Sequence, residues 1–529
     1  MRRYILLPFL AVAFAAQAQD TYINERITNS SSDVIGTARY VGMGGALGAL
    51  GADMSVISWN PAGIGIYRRS DIAMTFGGTW GKSYINEENR GKATFDQAGF
   101  VYHMPLNSTT CPHINLAFNY QKKINFNHNF YASNGALGGL SQMDQLAELA
   151  RFYETEGFNL PGLALDNGFF DPVIDEDGNQ IKDERGRGYY CNDYPSSSNI
   201  YTHHSEGSLQ SFDFNLSTSI NDRVFLGLTL GIDNMRYRGW NVYGENSIDK
   251  YTQNEIANYD LNNDVNISGT GVNVKLGAIF FPIPDNSLRF GFAVETPTWY
   301  RLQNSTLFSI YNYFRETSTE EWESYLKFKL RSPWKLRASI GSTVGSNFAW
   351  DVDYEFATYA STSMGYPKYE DVSYGNMKDV AMNQLTRDNL RGTHTLRAGF
   401  EINATKELAF RLGYNLSTSA YKKHVGYDQY NLTSAAMDYA TSTSYMRLGA
   451  TNLLTLGVGY RTKSFYIDLA YKLRNQKGNF YAFDTSFAQA ASNSQFVAMN
   501  PELANQTIAP AKFDLTRHAI TCTLGFKFK

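Results

Sequence analysis

The chain has little cysteine (3 in 529 residues), little proline (14) and almost no net charge, with 47 Lys and Arg against 50 Asp and Glu for a net −3. Three widely spaced cysteines give no disulfide framework. A Cys111–Cys191 bond stays open as a single pairing, and Cys522 reads as a small hydrophobe on an apolar strand face. Near-neutrality removes the electrostatic case for a nucleic-acid partner or a polybasic membrane-surface protein. No apolar run reaches the roughly 20 residues of a transmembrane helix. The longest, Tyr4 to Ala16, follows Arg2-Arg3 and precedes Ala16-Gln17-Ala18, the layout of a signal peptide over residues 1–18. There is no G-x-S-x-G, the eight His are scattered, and no spacing gathers a nucleophile with a base, so neither enzyme activity nor a cofactor or metal is expected.

What is abundant is Gly (44), Tyr (36) and Phe (34), and a period-two pattern that repeats to the end of the chain. Ile520, Cys522, Leu524, Phe526 and Phe528 alternate with Thr521, Thr523, Gly525 and Lys527. Leu408 to Leu416 and Phe465 to Leu473 repeat the pattern. The joints alternate as well. Short ones, such as Asn221-Asp222, Gly345 to Asn347 and Thr462-Lys463, lie between long connections near 127–206, 237–267, 361–390, 421–448 and 475–512. A soluble sandwich has no reason to sort loop length by end, whereas an outer-membrane barrel has tight periplasmic turns and large extracellular loops.

Fourteen segments alternate: 70–82, 95–104, 113–126, 207–220, 223–236, 268–281, 287–301, 324–344, 348–360, 391–403, 408–420, 449–461, 464–474 and 513–528. The expected fold is therefore all-β, a 14-stranded antiparallel transmembrane barrel over residues 70–529. Ser332-Pro333 interrupts the eighth segment. A charge facing lipid at the midplane costs about 2–4 kcal/mol, so ionic side chains should face the lumen. Asp213, Arg223, Lys275, Arg289, Arg337, Asp351, Asp353, Arg397, Arg411, Asp468 and Lys472 all take the phase opposite the apolar ladder. Lys122 shares the phase of Leu116, Phe118 and Tyr120 and has to snorkel or sit above the lipid boundary.

Residues 19–69 do not alternate. They are glycine-rich and read as an N-terminal hatch packed inside the lumen. Ala38-Arg39-Tyr40-Val41-Gly42-Met43-Gly44-Gly45-Ala46, Ala52-Asp53 and Asn60-Pro61-Ala62-Gly63, preceded by Ser30-Ser31-Ser32, resemble the N-terminal hatch of the FadL/TodX family of outer-membrane transporters for long-chain fatty acids and aromatic hydrocarbons. The resemblance covers about fifty residues. It implies a barrel in the outer-membrane lipid, closed by a hatch in which Gly44, Gly45, Asn60, Pro61 and Ala62 serve gating. It also implies passive uptake of a hydrophobic small molecule from a capture site among the extracellular loops. The family's lateral exit lies beside a kinked third strand, but residues 113–126 here contain neither Gly nor Pro.

In the first long connection, Ser141 and Asp144 form a capping-box pattern ahead of an amphipathic helix. Its Leu146 and Leu149, with Phe152, are the candidate ligand-binding residues; Phe308 and Tyr311, with Tyr313 and Phe314, are second candidates, against a reading as girdle aromatics. Arg301, Lys335 and Arg337 are candidate cations for a ligand carboxylate, and the sequence does not choose among them. Asp175 to Asn179 reads as a hairpin turn in preference to a calcium loop. A second reading makes the chain a type IX secretion shuttle-like barrel whose loops bind protein cargo or a surface lipoprotein. A third, resting on His203-His204, is a haem receptor, although adjacent residues of an extended segment point opposite ways.

Overall fold

The structure, a computed structural model, describes residues 33–81, 91–151, 160–184, 186–192, 194–249, 252, 254–283, 287–313, 317–318, 322–367, 378–422, 442–489 and 495–528. The expected signal peptide, Phe152 and Phe314 lie outside the described residues. Fourteen antiparallel strands form one closed ring. They are β1 Ser70–Gly81, β2 Lys92–Pro105, β3 His113–Asn125, β4 Ser196–Ile220, β5 Val224–Ile248, β6 Glu255–Phe280, β7 in two pieces (Leu288–Glu295 and Trp299–Asn312), β8 in two pieces (Trp322–Arg331 and Lys335–Val344), β9 Phe348–Thr358, β10 Gly392–Asn403, β11 Leu408–Ser417, β12 Tyr445–Arg461, β13 Phe465–Tyr481 and β14 Ala511–Phe528. The seam runs from Ser70 opposite Phe528 to Gly81 opposite Arg517, so no edge is left unpaired.

Around the lower ring the apolar phase faces outward. Leu226, Leu228, Leu230, Ile232, Leu276, Phe292, Leu396, Phe410, Leu456, Leu469 and Phe526 are all exposed, while Asp213, Lys275, Asp351, Asp353, Arg397, Arg411 and Asp468 are buried on the opposite face. An exposed apolar belt around a closed ring with a charged interior is the surface of a membrane-spanning barrel, and the chain is a multi-pass outer-membrane β-barrel. No helix among the described residues is long and apolar enough to cross a membrane.

Higher up, the phase inverts. On β5 the apolar side chains pass from outward Leu230 and Ile232 to inward Met235, Tyr237 and Tyr243, with Arg236 and Arg238 now outside. On β6, Val265 and Ile267 face inward and Val272 and Leu276 outward. On β8, Leu326, Phe328 and Leu330 face inward and Leu336 outward. The inversion marks the level at which lipid outside the ring gives way to water, and the ring acquires a hydrophobic interior. It also explains the main departure from expectation. The 237–267 connection is instead the upper halves of β5 and β6, paired from Tyr237 opposite Ile267 to Ile248 opposite Glu255. The end of the 127–206 connection is likewise strand, since β4 begins at Ser196 and pairs with His128–Asn134.

β7 breaks at Thr296-Pro297-Thr298, which the sequence reading had left whole, and β8 breaks at Ser332-Pro333-Trp334. The two breaks face each other: Glu295 opposes Lys335 below them and Trp299 opposes Arg331 above. Neither proline can donate to the ladder, and Thr298 N instead donates to Ser332 Oγ at 2.8 Å. β9 ends beside them in a short turn, Tyr359–Ser361. The interruption thus falls on the seventh to ninth strands. In β2 and β3 the irregularities are bulges, with register shifts at Thr75/Phe76 opposite Asp96 and between Lys122 and Ile124. They bring Lys122 Nζ to 3.6 Å from Asp96 Oδ1, so this lysine does not have to snorkel. Arg223 sits exposed in the β4–β5 turn and not in the lumen. Cys111, beside the β2–β3 turn, and Cys191, at the opposite end of the ring, form no disulfide, which excludes that pairing.

Candidate functional site

Residues 33–69 lie inside the ring, built from a short helix α1 (Ala38–Gly42) and two 3-10 turns, Met54–Ser58 and Pro61–Ile66. The segment is held at many points of the wall. Asp353 accepts from Leu47 N and Gly48 N at 3.2 Å, and Asp351 Oδ2 from Ala49 N and Leu50 N at 3.0 and 2.8 Å. Arg39 Nε meets Glu401 Oε2 at 3.0 Å, Lys472 Nζ donates to Val34 O at 2.7 Å, and Asn115 Nδ2 to Ile64 O at 2.7 Å. Arg397 donates to Tyr40 Oη and Gly45 O and stacks 3.6 Å over the Trp59 ring.

All five residues nominated for gating lie at this contact. Gly44 and Gly45 have φ of +65° and +79°, where L side chains are disfavoured. Asn60 caps the second 3-10 turn by accepting from Ala62 N, and donates to Gly48 O at 2.8 Å. The Pro61 carbonyl accepts from Asn215 and Ser217. Ala62 is fully buried beside Phe225 and Ile279. The sequence reading did not assign a role to the wall glycines that admit the segment. A Cβ on Gly413 would lie 2.1 Å from Gly44 N, one on Gly277 2.1 Å from Asn60 Oδ1, and Gly227, Gly291, Gly399 and Gly457 face the segment in the same way. Their signal was present, since each occupies the polar phase of an alternating strand.

Above the segment runs a belt of paired ions. Lys123 Nζ meets Asp233 Oδ1 at 2.7 Å, Lys275 Nζ meets Asp213 Oδ1 at 2.7 Å, and Arg337 bridges Glu295 (2.6 Å) and Glu355 (2.7 Å). Lys335 and Arg337, candidates for a ligand carboxylate, are thus already committed to acids, Lys335 lying 3.9 Å from Glu295. Arg301 points out of the ring altogether. A cavity of about 40 Å³ remains between the segment and this belt, lined by Tyr40, Trp59, Gln121, Lys123 and Arg337 among others, with room for water but not for a hydrocarbon.

Over the belt the upper ring is filled by one apolar cluster. It contains inward side chains of the strands (Tyr237, Tyr259, Ile267, Tyr300, Leu302, Phe308, Leu330, Phe480) and the buried faces of helices α2 (Gln142–Ala150), α3 (Leu160–Asp166) and α4 (Val380–Asn389). Leu146, Leu149 and Phe308 belong to it. Tyr311 does not: it faces outward, exposed, edge-on to Tyr313, as the phase of β7 requires. Helix α2 closes the mouth. Its capping box is formed, and Glu245 on β5 accepts from Ser141 Oγ (2.6 Å), Ser196 Oγ (2.6 Å) and Gln142 N (2.8 Å). Burial pushes the Asp144 carboxyl up to about 8, against the opposing bonds from Ser141 and Asn192.

His203 faces the interior and bonds Asn241, whereas His204 faces outward and packs 4.0 Å from Trp240, so the two do not share a chelate. Asp175 to Asn179 is a hairpin turn in which Asp175 Oδ1 accepts from Asp177 N and Asn179 N. No group of three His, Cys, Asp or Glu able to hold a metal occurs among the described residues.

No family model and no curated protein matches the sequence. Among solved structures, the chain is similar to the toluene transporter TbuX of Ralstonia pickettii, with 13% identity, a TM-score of 0.46, and 94% of this chain and 99% of that chain covered. It is similar to a FadL homologue of Pseudomonas aeruginosa, with 12% identity, a TM-score of 0.47 and coverage of 98% and 100%. It is similar also to the toluene transporter TodX of P. putida, with 9% identity, a TM-score of 0.46 and coverage of 94% and 99%.

Proposed function

We propose that the chain is a passive outer-membrane channel for hydrophobic small molecules, long-chain fatty acids among them, and that residues 33–69 are its gate. The observation that supports this reading is the stacking of three layers along one axis: an apolar cluster at the mouth, a belt of paired ions, and a segment lodged inside the ring outside the strand ladder. An apolar mouth lined by the strands and by helices α2 to α4 is suited to collecting oily solutes once helix α2 moves aside. The segment is held by side-chain hydrogen bonds, ion pairs and apolar contacts but adds no strand to the ladder, so it can leave the wall without breaking a strand pair. Passage needs no nucleotide, since the solute runs down its own gradient. The balanced ion belt disfavours a simple ion pore.

The test is a reversible lock. In a background with the three native cysteines replaced by serine, Arg39→Cys and Glu401→Cys are bridged by a reducible bifunctional thiol reagent. Vesicles carrying the bridged protein should take up labelled oleate or toluene no faster than protein-free vesicles, and uptake should return on reduction. Equal uptake before and after reduction refutes gating by this segment, and no uptake in either state refutes transport. Reproducible co-purification of secreted proteins in place of lipid would move the reading to a cargo-binding barrel.

A further inference from the structure

The outward face of β5–β8 just above the lipid belt carries a concentration of positive charge that the interior does not use. Strand pairing arranges it in three rows. Arg236, Ser268, Gln303 and Lys327 form the upper row across the four strands. Asn234, Thr270, Arg301 and Lys329 form the middle row, and Ile232, Val272, Trp299 and Arg331 the lower. Five cations thus occupy a patch roughly 14 Å wide and 13 Å tall, from the spacing of strands and of alternate residues. No carboxylate falls in these rows. The acids of this face begin above them, Glu206 one row higher and Asp264 and Glu323 two rows higher, where Asp264 meets Arg238 Nη2 at 2.8 Å and Glu323 accepts from Ser305 Oγ.

The patch sits at the headgroup level. Its lower row includes Trp299, half exposed, with Trp334 alongside, the placement of interfacial tryptophans. Directly beneath the facing prolines, the outer wall is hollowed into an open apolar groove of about 740 Å³, lined by Leu276, Ala278, Phe292, Leu336, Ala338 and Tyr354. The small side chains of Ala278 and Ala338 flank Phe292 across the strands and leave the hollow. Along the unbroken β6, from Val272 in the lower row to Leu276 in the groove is four residues, roughly 13 Å of strand, which keeps the groove within one leaflet of a 30 Å hydrocarbon core.

From this vertical pairing we infer that the β5–β9 wall binds a phosphorylated lipid of the outer leaflet, its phosphates on Arg301, Lys327, Lys329 and Arg331 and an acyl chain in the groove below. Arginine and lysine at the membrane surface attract anionic headgroups, and arginine takes phosphate oxygens in a bidentate fork. The groove supplies the apolar contact that a free anion could not use.

The full chain in detergent micelles is titrated with bisphosphorylated lipid A, with the same lipid after phosphatase treatment, and with inorganic phosphate. Lipid A should bind at least about tenfold tighter than either control, and raising salt from low to high should weaken it. The fourfold variant Arg301→Gln, Lys327→Gln, Lys329→Gln, Arg331→Gln should lose at least about tenfold in affinity for lipid A. Ala338→Phe, which fills the groove, should lower affinity with the salt dependence kept. Heat-modified gel mobility checks folding; should the fourfold variant not fold, Arg301→Gln and Lys327→Gln singly and the wild-type salt series decide. Unchanged affinity in the variants, equal binding of dephosphorylated lipid, or phosphate binding as well as lipid A would overturn the inference.

Discussion

A single methyl group added to Gly413 should loosen the plug while leaving the barrel intact. Gly413 pairs with Gly399 on β10 and with Thr455 on β12, and nothing in that ladder is disturbed by alanine. On the lumen side, the new Cβ would stand 2.1 Å from Gly44 N and 2.3 Å from Met43 C. Ordinary contact begins near 3.4 Å, so wall and segment must part by about 1.3 Å, and because both opposing atoms are backbone, no side-chain rotation relieves the clash. Overpacking of this kind costs about 1–3 kcal/mol. Taken wholly from the docked state, that raises the undocked fraction roughly 5- to 150-fold. Single-channel recording in planar bilayers should therefore find Gly413→Ala opening more often than wild type, with the same heat-modified gel mobility. Gly78→Ala, whose Cβ meets nothing within 4 Å, is the matched control. Indistinguishable opening in the two variants refutes the argument that this contact holds the gate.

Three further outcomes are expected. Lys275→Met leaves Asp213, fully buried, without its 2.7 Å partner and should destabilise the barrel by about 3–5 kcal/mol, most of it recovered by adding Asp213→Leu, as read from the temperature of the gel-mobility shift. Asp144 titrates near 8 in the folded mouth against 3.8 ordinarily, so the folded state holds a proton that the opened state releases. The stability of helix α2 should be greatest below about pH 4 and fall as pH rises to about 8; hydrogen exchange over 142–150, corrected for intrinsic rate, should record this, and Asp144→Asn should reduce it, the raised carboxyls of Glu148 and Glu245 keeping the remainder. Nitroxides at Phe410→Cys and Leu469→Cys should be accessible to oxygen and shielded from a water-soluble relaxation agent. The reverse pattern would contradict the orientation of the strands.

The lower ring was legible because lipid outside and ions inside give each strand a single apolar phase, as Leu408 to Leu416 and Phe465 to Leu473 display. The upper ring was not, because the phase changes sides. Tyr243 and Glu245 both face inward at the top of β5, so contrast between the two faces vanishes and a 25-residue strand reads as a strand followed by a loop. Pro297 escaped notice because only its position opposite Pro333, a long-range fact, turns it into a break. The burial of Leu146 and Leu149 on a capped helix was legible from their spacing. The outward face of Tyr311 was not legible, because aromatic content alone does not fix which face of a strand a residue takes. Asp351 and Asp353 were recognised as luminal, but their service to four backbone amides of a distant segment is written in no local pattern.

The 25- and 26-residue strands β4 to β6 are far longer than a bilayer requires. At about 3.3 Å per residue and a tilt near 40°, such a strand climbs roughly 60 Å, of which the hydrocarbon band takes about 25 Å. The remainder stands as a chimney over the cell surface. The apolar cluster of the upper ring therefore packs beyond the bilayer, behind a wall whose outer face carries Arg236 and Arg238.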